Sequence, residues 1–300
     1  MEFQQMSACR ICPRACGADR AAGQAGYCGV GGRVQVARAA LHYWEEPCLS
    51  GTAGSGAVFF SGCNMKCVFC QNFEINREYA GQDISVGRLC QIFLELQAQG
   101  ALNINLVTPT HYVPQIAGAL TMARQAGLHL PVVYNSSCYE LPETLALLRG
   151  LVDIYLPDLK YVSGELSARY SGAPDYFARA SAALAEMVAQ APAPLFDEKG
   201  IMRRGVIVRH LMLPGALFDS KKVVEYLYAT YGDNIYISIM NQYTPNGRLA
   251  AFPEIDRPLP EKHYQMLVDY ALELGVKNGF VQQGGTVSES FIPPFDLTGV

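Results

Sequence analysis

Residues 63–72 read CNMKCVFCQN and place three thiols, Cys63, Cys67 and Cys70, at C-x3-C-x2-C spacing. Three thiolates on one short loop suit three corners of a cubane [4Fe-4S] cluster, whose irons are normally held by cysteine sulfur. The fourth iron is then left without a protein ligand, and an open metal position is where a small molecule can bind and react. Zinc in a structural site takes four ligands in a closed tetrahedron, and no His stands nearby to complete one. A zinc site here would have to borrow a distant fourth ligand. The remaining reading is that of buried core thiols, since a free Cys packs as a small hydrophobe.

A second set of thiols precedes the first. Cys9, Cys12, Cys16 and Cys28 follow a C-x2-C-x3-C-x11-C pattern with glycines after Cys16 and Cys28. Four soft ligands are enough for a second iron-sulfur cluster or a structural zinc or iron site, and thiolate number alone does not choose between these or exclude a metal-free segment. An irregular stretch of this size has little core of its own, so a metal would supply much of its stability. Cys48 is an alternate ligand. Cys90, at helical spacing with Val86 and Phe93, reads as core, and Cys138 follows a predicted strand. Ten cysteines in a 300-residue chain with no signal-peptide pattern point to metal or redox chemistry, not to a disulfide scaffold.

The elements that must position these groups are legible as alternating short apolar runs and longer amphipathic stretches, the pattern of repeated βα units. The expected strands are AVFFSG, NINLVTP, PVVYNSS, VDIYLPDL, GVIVRHLML and NIYISIM. Between them, Leu89, Ile92, Phe93 and Leu96 fall on one helical face, as do Val113, Ile116, Ala117 and Leu120. Further helices are predicted at 140–149, 175–190, 220–231 and 260–274. Six such units predict an α/β fold, a partial (β/α)6 TIM-like barrel over residues 51–300 with a C-terminal extension. Residues 1–50 are expected to form a Cys-rich irregular N-terminal module. The sequence SGTAGSG before the first strand lacks a following Gly-Lys-Ser/Thr and reads as a turn, not a phosphate loop.

In parallel βα architectures, ligands bind beyond the carboxyl ends of the strands. Cys63, Cys67 and Cys70 follow the first predicted strand, Thr108, Thr110 and His111 the second, Asn135, Ser136 and Ser137 the third, and Asp158 and Lys160 the fourth. Arg209 and His210 lie in the fifth, and Asn241, Gln242 and Tyr243 end the sixth. Half the residues are hydrophobic and 17% are charged, so a sizeable core is available. A net charge of -4 with basic residues only in short pairs argues against nucleic-acid binding. No run of 18 apolar residues occurs, and a cytoplasmic protein without membrane association is expected.

The cysteine loop, with Phe69 immediately before its last thiol, resembles the hallmark of the radical S-adenosylmethionine (SAM) superfamily. The likeness extends through CRICPRACGADRAAGQAGYCG, ARAALHYWEEPCLSGTAGSGAVFFSGCNMKCVFCQNFEI, VTPTHYVPQI, DIYLPDLKY, VIVRHLMLPG and SESFIPPFD. These segments resemble the PflX-type, pyruvate formate-lyase activating enzyme-like branch. The resemblance implies a [4Fe-4S] cluster on Cys63, Cys67 and Cys70 whose open iron is chelated by the amino and carboxylate groups of SAM. One-electron reduction then cleaves SAM to methionine and a 5'-deoxyadenosyl radical, which abstracts a substrate hydrogen.

Other roles carry over position by position. Thr108-Pro109-Thr110 stands where related enzymes have a Gly-Gly-Glu-type turn for the amino group of SAM, so the usual carboxylate is missing. Asn135 and Ser136 resemble a SAM-contacting pair, and Asp158 and Lys160 match an Asp-x-Lys pattern near SAM or a monovalent cation. Arg209 resembles an arginine that meets the carboxylate of SAM, a partner its planar fork suits. Each also has a structural reading: Asp158 and Lys160 as a same-face salt bridge, Arg209 as the partner of a structural carboxylate. His111 and His210 are acid-base candidates, although the radical step needs no general base. Gln71, Asn72 and Tyr243 sit near the expected mouth, as pocket lining or as loop caps.

Implied partners are SAM, a one-electron donor such as flavodoxin or ferredoxin, and a substrate that is either a glycyl radical enzyme or a small molecule. The Cys-rich module would serve as a lid, an electron relay or a docking surface. The competing class is a non-catalytic iron-sulfur or zinc regulatory protein.

Overall fold

Apolar runs too short for helices become strands here, and the computed structural model describes them within residues 6–282 and 292–300. In chain order the elements are β1 (Val34–His42), α1 (Pro47–Ser50), β2 (Ser55–Phe60), α2 (Phe73–Arg77), β3 (Gln82–Ile84), α3 (Val86–Ala98), β4 (Ile104–Val107), α4 (Val113–Gln125), β5 (Val132–Ser136), α5 (Pro142–Leu145), β6 (Ile154–Pro157), α6 (Gly164–Ser171), α7 (Tyr176–Gln190), β7 (Leu195–Phe196), β8 (Met202–Leu211), α8 (Leu217–Tyr231), β9 (Tyr236–Met240), α9 (Glu261–Glu273) and β10 (Gly279–Val281). Every residue of β2, β4 and β6 is buried, as expected of parallel strands covered on both faces.

The strands β2, β4, β5, β6, β8, β9 and β10 pair in parallel in that order. The first six correspond to the six predicted runs, and β10 adds a further parallel strand at one edge. At the other edge β1 runs antiparallel to β2, from Val36 opposite Phe60 to His42 opposite Ser55, and β3 continues beyond β1. Residues 34–42, grouped by sequence with the irregular module, thus join the main sheet. The predicted helix at 140–149 is a single turn, α5, followed by a 3-10 turn, and β7 forms within the expected loop by pairing antiparallel to β8.

Helix faces follow the periodicity. α3 is capped by the Ser85 hydroxyl accepting from the Arg88 amide at 3.0 Å and buries Leu89, Cys90, Ile92, Phe93 and Leu96. α4 buries Val113, Ile116 and Leu120, with Ala117 half-buried. Inside the sheet, Cys48 and Leu49 of α1 pack with Val133, Ile154, Leu156, Met202 and Ile207, so α1 fills the interior at the amino ends of the strands. Asn103, just ahead of β4, donates to the Leu49 carbonyl at 2.8 Å and accepts from Ser55.

Residues 6–33 contain turns and bends but no helix or strand. Backbone bonds such as Cys9 N–H to Ala18 O and Gly17 N–H to Cys9 O, both 3.0 Å, fold this segment on itself. Residues 288–291 of the SESFIPPFD segment lie outside the described residues. No helix among the described residues is long and apolar enough to cross a membrane.

Candidate active site

The cysteine loop leaves β2 through Gly62, whose φ of +84° favours glycine and whose added Cβ would lie 2.8 Å from the Cys28 carbonyl oxygen. The same carbonyl accepts the Cys63 amide at 3.2 Å. Further along, the Val68 amide donates to Tyr170 O at 2.9 Å, Asn64 Nδ2 to Tyr139 O at 2.6 Å, and Arg14 Nε to Asn64 O at 2.8 Å. The loop is thus held from three separate segments of the chain.

Each thiol of the loop accepts a hydrogen bond. Met65 N–H points to Cys63 Sγ at 3.4 Å, Ser171 Oγ to Cys67 Sγ at 3.0 Å, and Asn76 Nδ2 to Cys70 Sγ at 3.3 Å. Such donors stabilise charge on sulfur and tune the potential of sulfur-ligated clusters. Burial, with the neighbouring Cys67 second, lifts the Cys63 thiol well above its ordinary range and Cys70 to about 11. Without a bound cation these thiols stay protonated, so binding a metal here releases protons. Among the described residues no three His, Cys, Asp or Glu side chains stand where one ion could be held. A cubane spreads its irons and needs three sulfurs around one space, and all three line the same cleft. The donor set fits a [4Fe-4S] cluster.

The cleft opens beyond the strand ends and measures about 1150 Å³ including the open solvent at its mouth. Phe69, Thr108, Asn135, Ser136, Asp158, Lys160 and Arg209 line it with the three cysteines, as do Gln71 and Asn72. Ser137, another lining residue, has a buried hydroxyl with no partner among the described residues. An unsatisfied donor in the wall fits a polar ligand such as SAM. Thr108 sits at φ +61°, a strained backbone for a residue with a side chain, and its amide donates to Asn135 O at 2.9 Å.

Thr110 does not line the cleft. Its hydroxyl donates to Glu140 at 2.6 Å, deep under the strand ends. Asp158 and Lys160 do form a salt bridge, at 2.6 Å. Burial opposes the Lys160 charge, but Asp158 outweighs it, and the ammonium titrates above its ordinary range. Arg209 places Nε 2.8 Å and Nη2 2.6 Å from the two oxygens of Glu46 and also pairs with Glu45. Burial alone would lift the Glu46 carboxyl, but the guanidinium holds it below its usual range. The Arg209 fork is therefore engaged by two carboxylates of the protein, while one edge of the residue still reaches the cleft.

Neither candidate histidine reaches the cleft. His111 Nε2 lies 2.7 Å from Ser61 O and His210 Nδ1 lies 2.8 Å from Leu159 O. Burial lowers them to about 3 and about 4, leaving both rings neutral. Tyr243 packs its ring 6.3 Å from Phe69 and donates its hydroxyl to Ile255 O. Cys138 is fully buried with its thiol on Ala180 O, and Cys90 is core. Cys48 lies in the sheet interior, so it does not substitute for an N-terminal ligand.

Sequence reasoning missed Ser171, Asn76, Glu45, Glu46 and Trp44 at or beside the site. Asn76 is six residues after Cys70 and offered a local signal, whereas Ser171 is 104 residues from Cys67 and offered none. Two adjacent carboxylates next to apolar PCL could have flagged a buried pair in need of a cation.

No protein-family model matches the chain. It is 29% identical over 279 residues to an uncharacterized protein of Methanocaldococcus jannaschii, covering 90% of this chain and 74% of that one. Among solved structures it resembles Streptococcus suis SuiB bound to the precursor peptide SuiA, with a TM-score of 0.51, 14% identity, and coverage of 75% of this chain and 47% of SuiB. SuiB bound to S-adenosylmethionine matches with a TM-score of 0.51 at 12% identity over 77% of this chain and 50% of SuiB. The chain spans about half the length of SuiB, and the likeness is one of fold, a mixed α/β chain with a parallel-stranded sheet.

Proposed function

We propose that this chain is a radical SAM enzyme. The observation that carries the reading is the set of three thiols at C-x3-C-x2-C spacing on one wall of a cleft, each already supplied with a hydrogen-bond donor. A fold shared with a SAM-bound structure supports it. Cys63, Cys67 and Cys70 would hold a [4Fe-4S] cluster, which when bound and reduced supplies the electron that splits SAM into methionine and a 5'-deoxyadenosyl radical able to take a hydrogen atom from substrate.

The chain's own residues bind and exclude. Asn135, Ser136 and Ser137 offer polar groups to a sugar or amino-acid moiety along the ends of β5. Lys160, kept charged by Asp158, sets a positive charge that offsets part of what burial does to the Cys63 and Cys70 thiols. Phe69, backed by Tyr243, closes one side with an apolar ring and keeps water from the reacting atoms. With Thr110 turned to Glu140, the amino group of SAM would be met by the Thr108 region through hydroxyl or carbonyl oxygen.

For the substrate, the sequence likeness to activating enzymes supports a peptide segment of a glycyl radical enzyme, with the hydrogen taken from a glycine Cα. SuiB, of like fold, binds a precursor peptide. Flavodoxin or ferredoxin would supply the electron. The test is anaerobic reconstitution, reduction and addition of SAM, with 5'-deoxyadenosine as the readout. Wild type should form it and Cys67→Ala should not; product from the variant would sink the assignment. Co-incubation with a glycyl radical enzyme should then give a protein-bound radical signal by electron paramagnetic resonance, and its absence with every such partner favours a small-molecule substrate.

A further inference from the structure

We infer that Cys9, Cys12, Cys16 and Cys28 form a tetrathiolate metal centre, and that the buried guanidinium of Arg20 is its counter-charge. The argument begins with Arg20, which is 1% exposed. Its Nε and Nη2 donate to Gly31 O at 3.2 and 2.8 Å and its Nη1 to His111 O at 2.7 Å. Those carbonyls take three of its donors and the Tyr112 ring lies 5.6 Å from the guanidinium, but neither brings a counter-charge. Among the described residues no carboxylate forms an ion pair with it. Arginine does not shed its proton in a protein, and an unpaired buried charge is among the most costly features a fold can carry.

What the guanidinium does face is sulfur. Nη1 lies 3.9 Å from Cys9 Sγ, and Cys9 is within electrostatic reach of Cys12, Cys16 and Cys28. At Gly26 a Cβ would meet Arg20 Cδ at 3.3 Å, Cys16 Sγ at 3.3 Å and Cys28 Sγ at 3.4 Å, so this glycine is what allows the three side chains to converge. Neutral thiols cannot balance a guanidinium. Four metal-bound thiolates can, because around a dication they leave a net charge of about -2, their protons having passed to solvent. Residues 6–33 also lack any helix or strand, and a cross-linking metal would supply the order that backbone ladders do not.

Zinc and an iron-sulfur cluster share this thiolate chemistry, but among the described residues no three of these side chains stand where one ion could be held, so a single zinc would require the sulfurs to draw together; the experiment separates the two. In the Cys63, Cys67 and Cys70 to Ala background, produced with both iron and zinc present and purified without oxygen, metal and acid-labile sulfide are counted. The expected result is about one zinc, or about four irons with sulfide, per chain, lost when Cys9, Cys12, Cys16 and Cys28 are also replaced by Ser. Zinc alone identifies a single-ion site and iron with sulfide a cluster. Arg20→Gln in a folded chain should release its metal to a chelator about 10–100-fold more readily, with Arg20→Lys intermediate because it keeps the charge. No stoichiometric metal, or metal that survives the four Ser replacements, overturns the proposal. So does an Arg20→Gln chain that holds metal as tightly as wild type. If Arg20→Gln fails to fold, the metal count in the triple-Ala background still decides. That background cannot assemble the SAM-site cluster, so the outcome is independent of the proposed radical chemistry.

Discussion

Glu140 is a buried carboxyl that no cation among the described residues pairs with, and replacing it by Gln should make the protein more stable at alkaline pH. Its Oε1 accepts from Thr110 Oγ1 at 2.6 Å and from the Tyr134 hydroxyl at 3.2 Å, while Oε2 has no partner among the described residues. Burial raises its pKa from 4.5 to about 7 despite those hydrogen bonds. A carboxyl whose pKa is higher folded than unfolded binds more protons in the native state, so its contribution to stability falls as pH rises from about 4.5 through about 7. At ~1.4 kcal/mol per pH unit the full penalty above that window is about 3 kcal/mol. Glu140→Gln keeps the acceptor for both hydroxyls and removes the titration. Calorimetric midpoints of wild type and variant should nearly coincide at pH 4.5 and separate in favour of the variant by about 5 °C at pH 8. A gap that does not change with pH, or a variant less stable than wild type at pH 8, refutes the reasoning.

Three other outcomes follow from the geometry. Arg209→Met leaves Glu45 and Glu46 buried side by side without their cation and should cost about 3–5 kcal/mol in urea unfolding at pH 7, with part of the loss recovered at pH 4.5, where the carboxylates can protonate. Ser171→Ala removes the hydroxyl donor to Cys67 Sγ; in the reconstituted protein the reduction potential should fall by on the order of 50 mV, read by redox titration with electron paramagnetic resonance, while iron content stays at the wild-type level. Gly62→Ala forces a Cβ onto the Cys28 carbonyl at a positive φ. It should loosen residues 6–33 from the cysteine loop, seen as faster hydrogen exchange at the Cys63 amide.

Chemistry held within a few residues was readable from the chain alone. The spacing of Cys63, Cys67 and Cys70 sets three sulfurs on one loop whatever surrounds them, and the apolar faces of α3 and α4 repeat with the helical period because burial on one side demands it. The six parallel strands were legible for the same reason: continuous short apolar runs leave no other way to bury both faces. β1, β3 and β10 were not, because strands at the margins of a sheet are defined by the neighbours that pair with them more than by their own pattern.

Partner choice was equally hidden. Nothing near Arg209 announces Glu46, 163 residues away, nor does Thr110 signal that its hydroxyl turns to Glu140 and away from the cleft. Nothing beside Arg20 in the chain marks it as buried, and only the approach of Gly31, His111 and Cys9 reveals it as a buried charge. Residue type and spacing determine which reactions a local segment can support. Which charges lose their water, and what compensates them, depends on segments far apart in the chain, and that was decided only when tertiary packing removed the solvent between them.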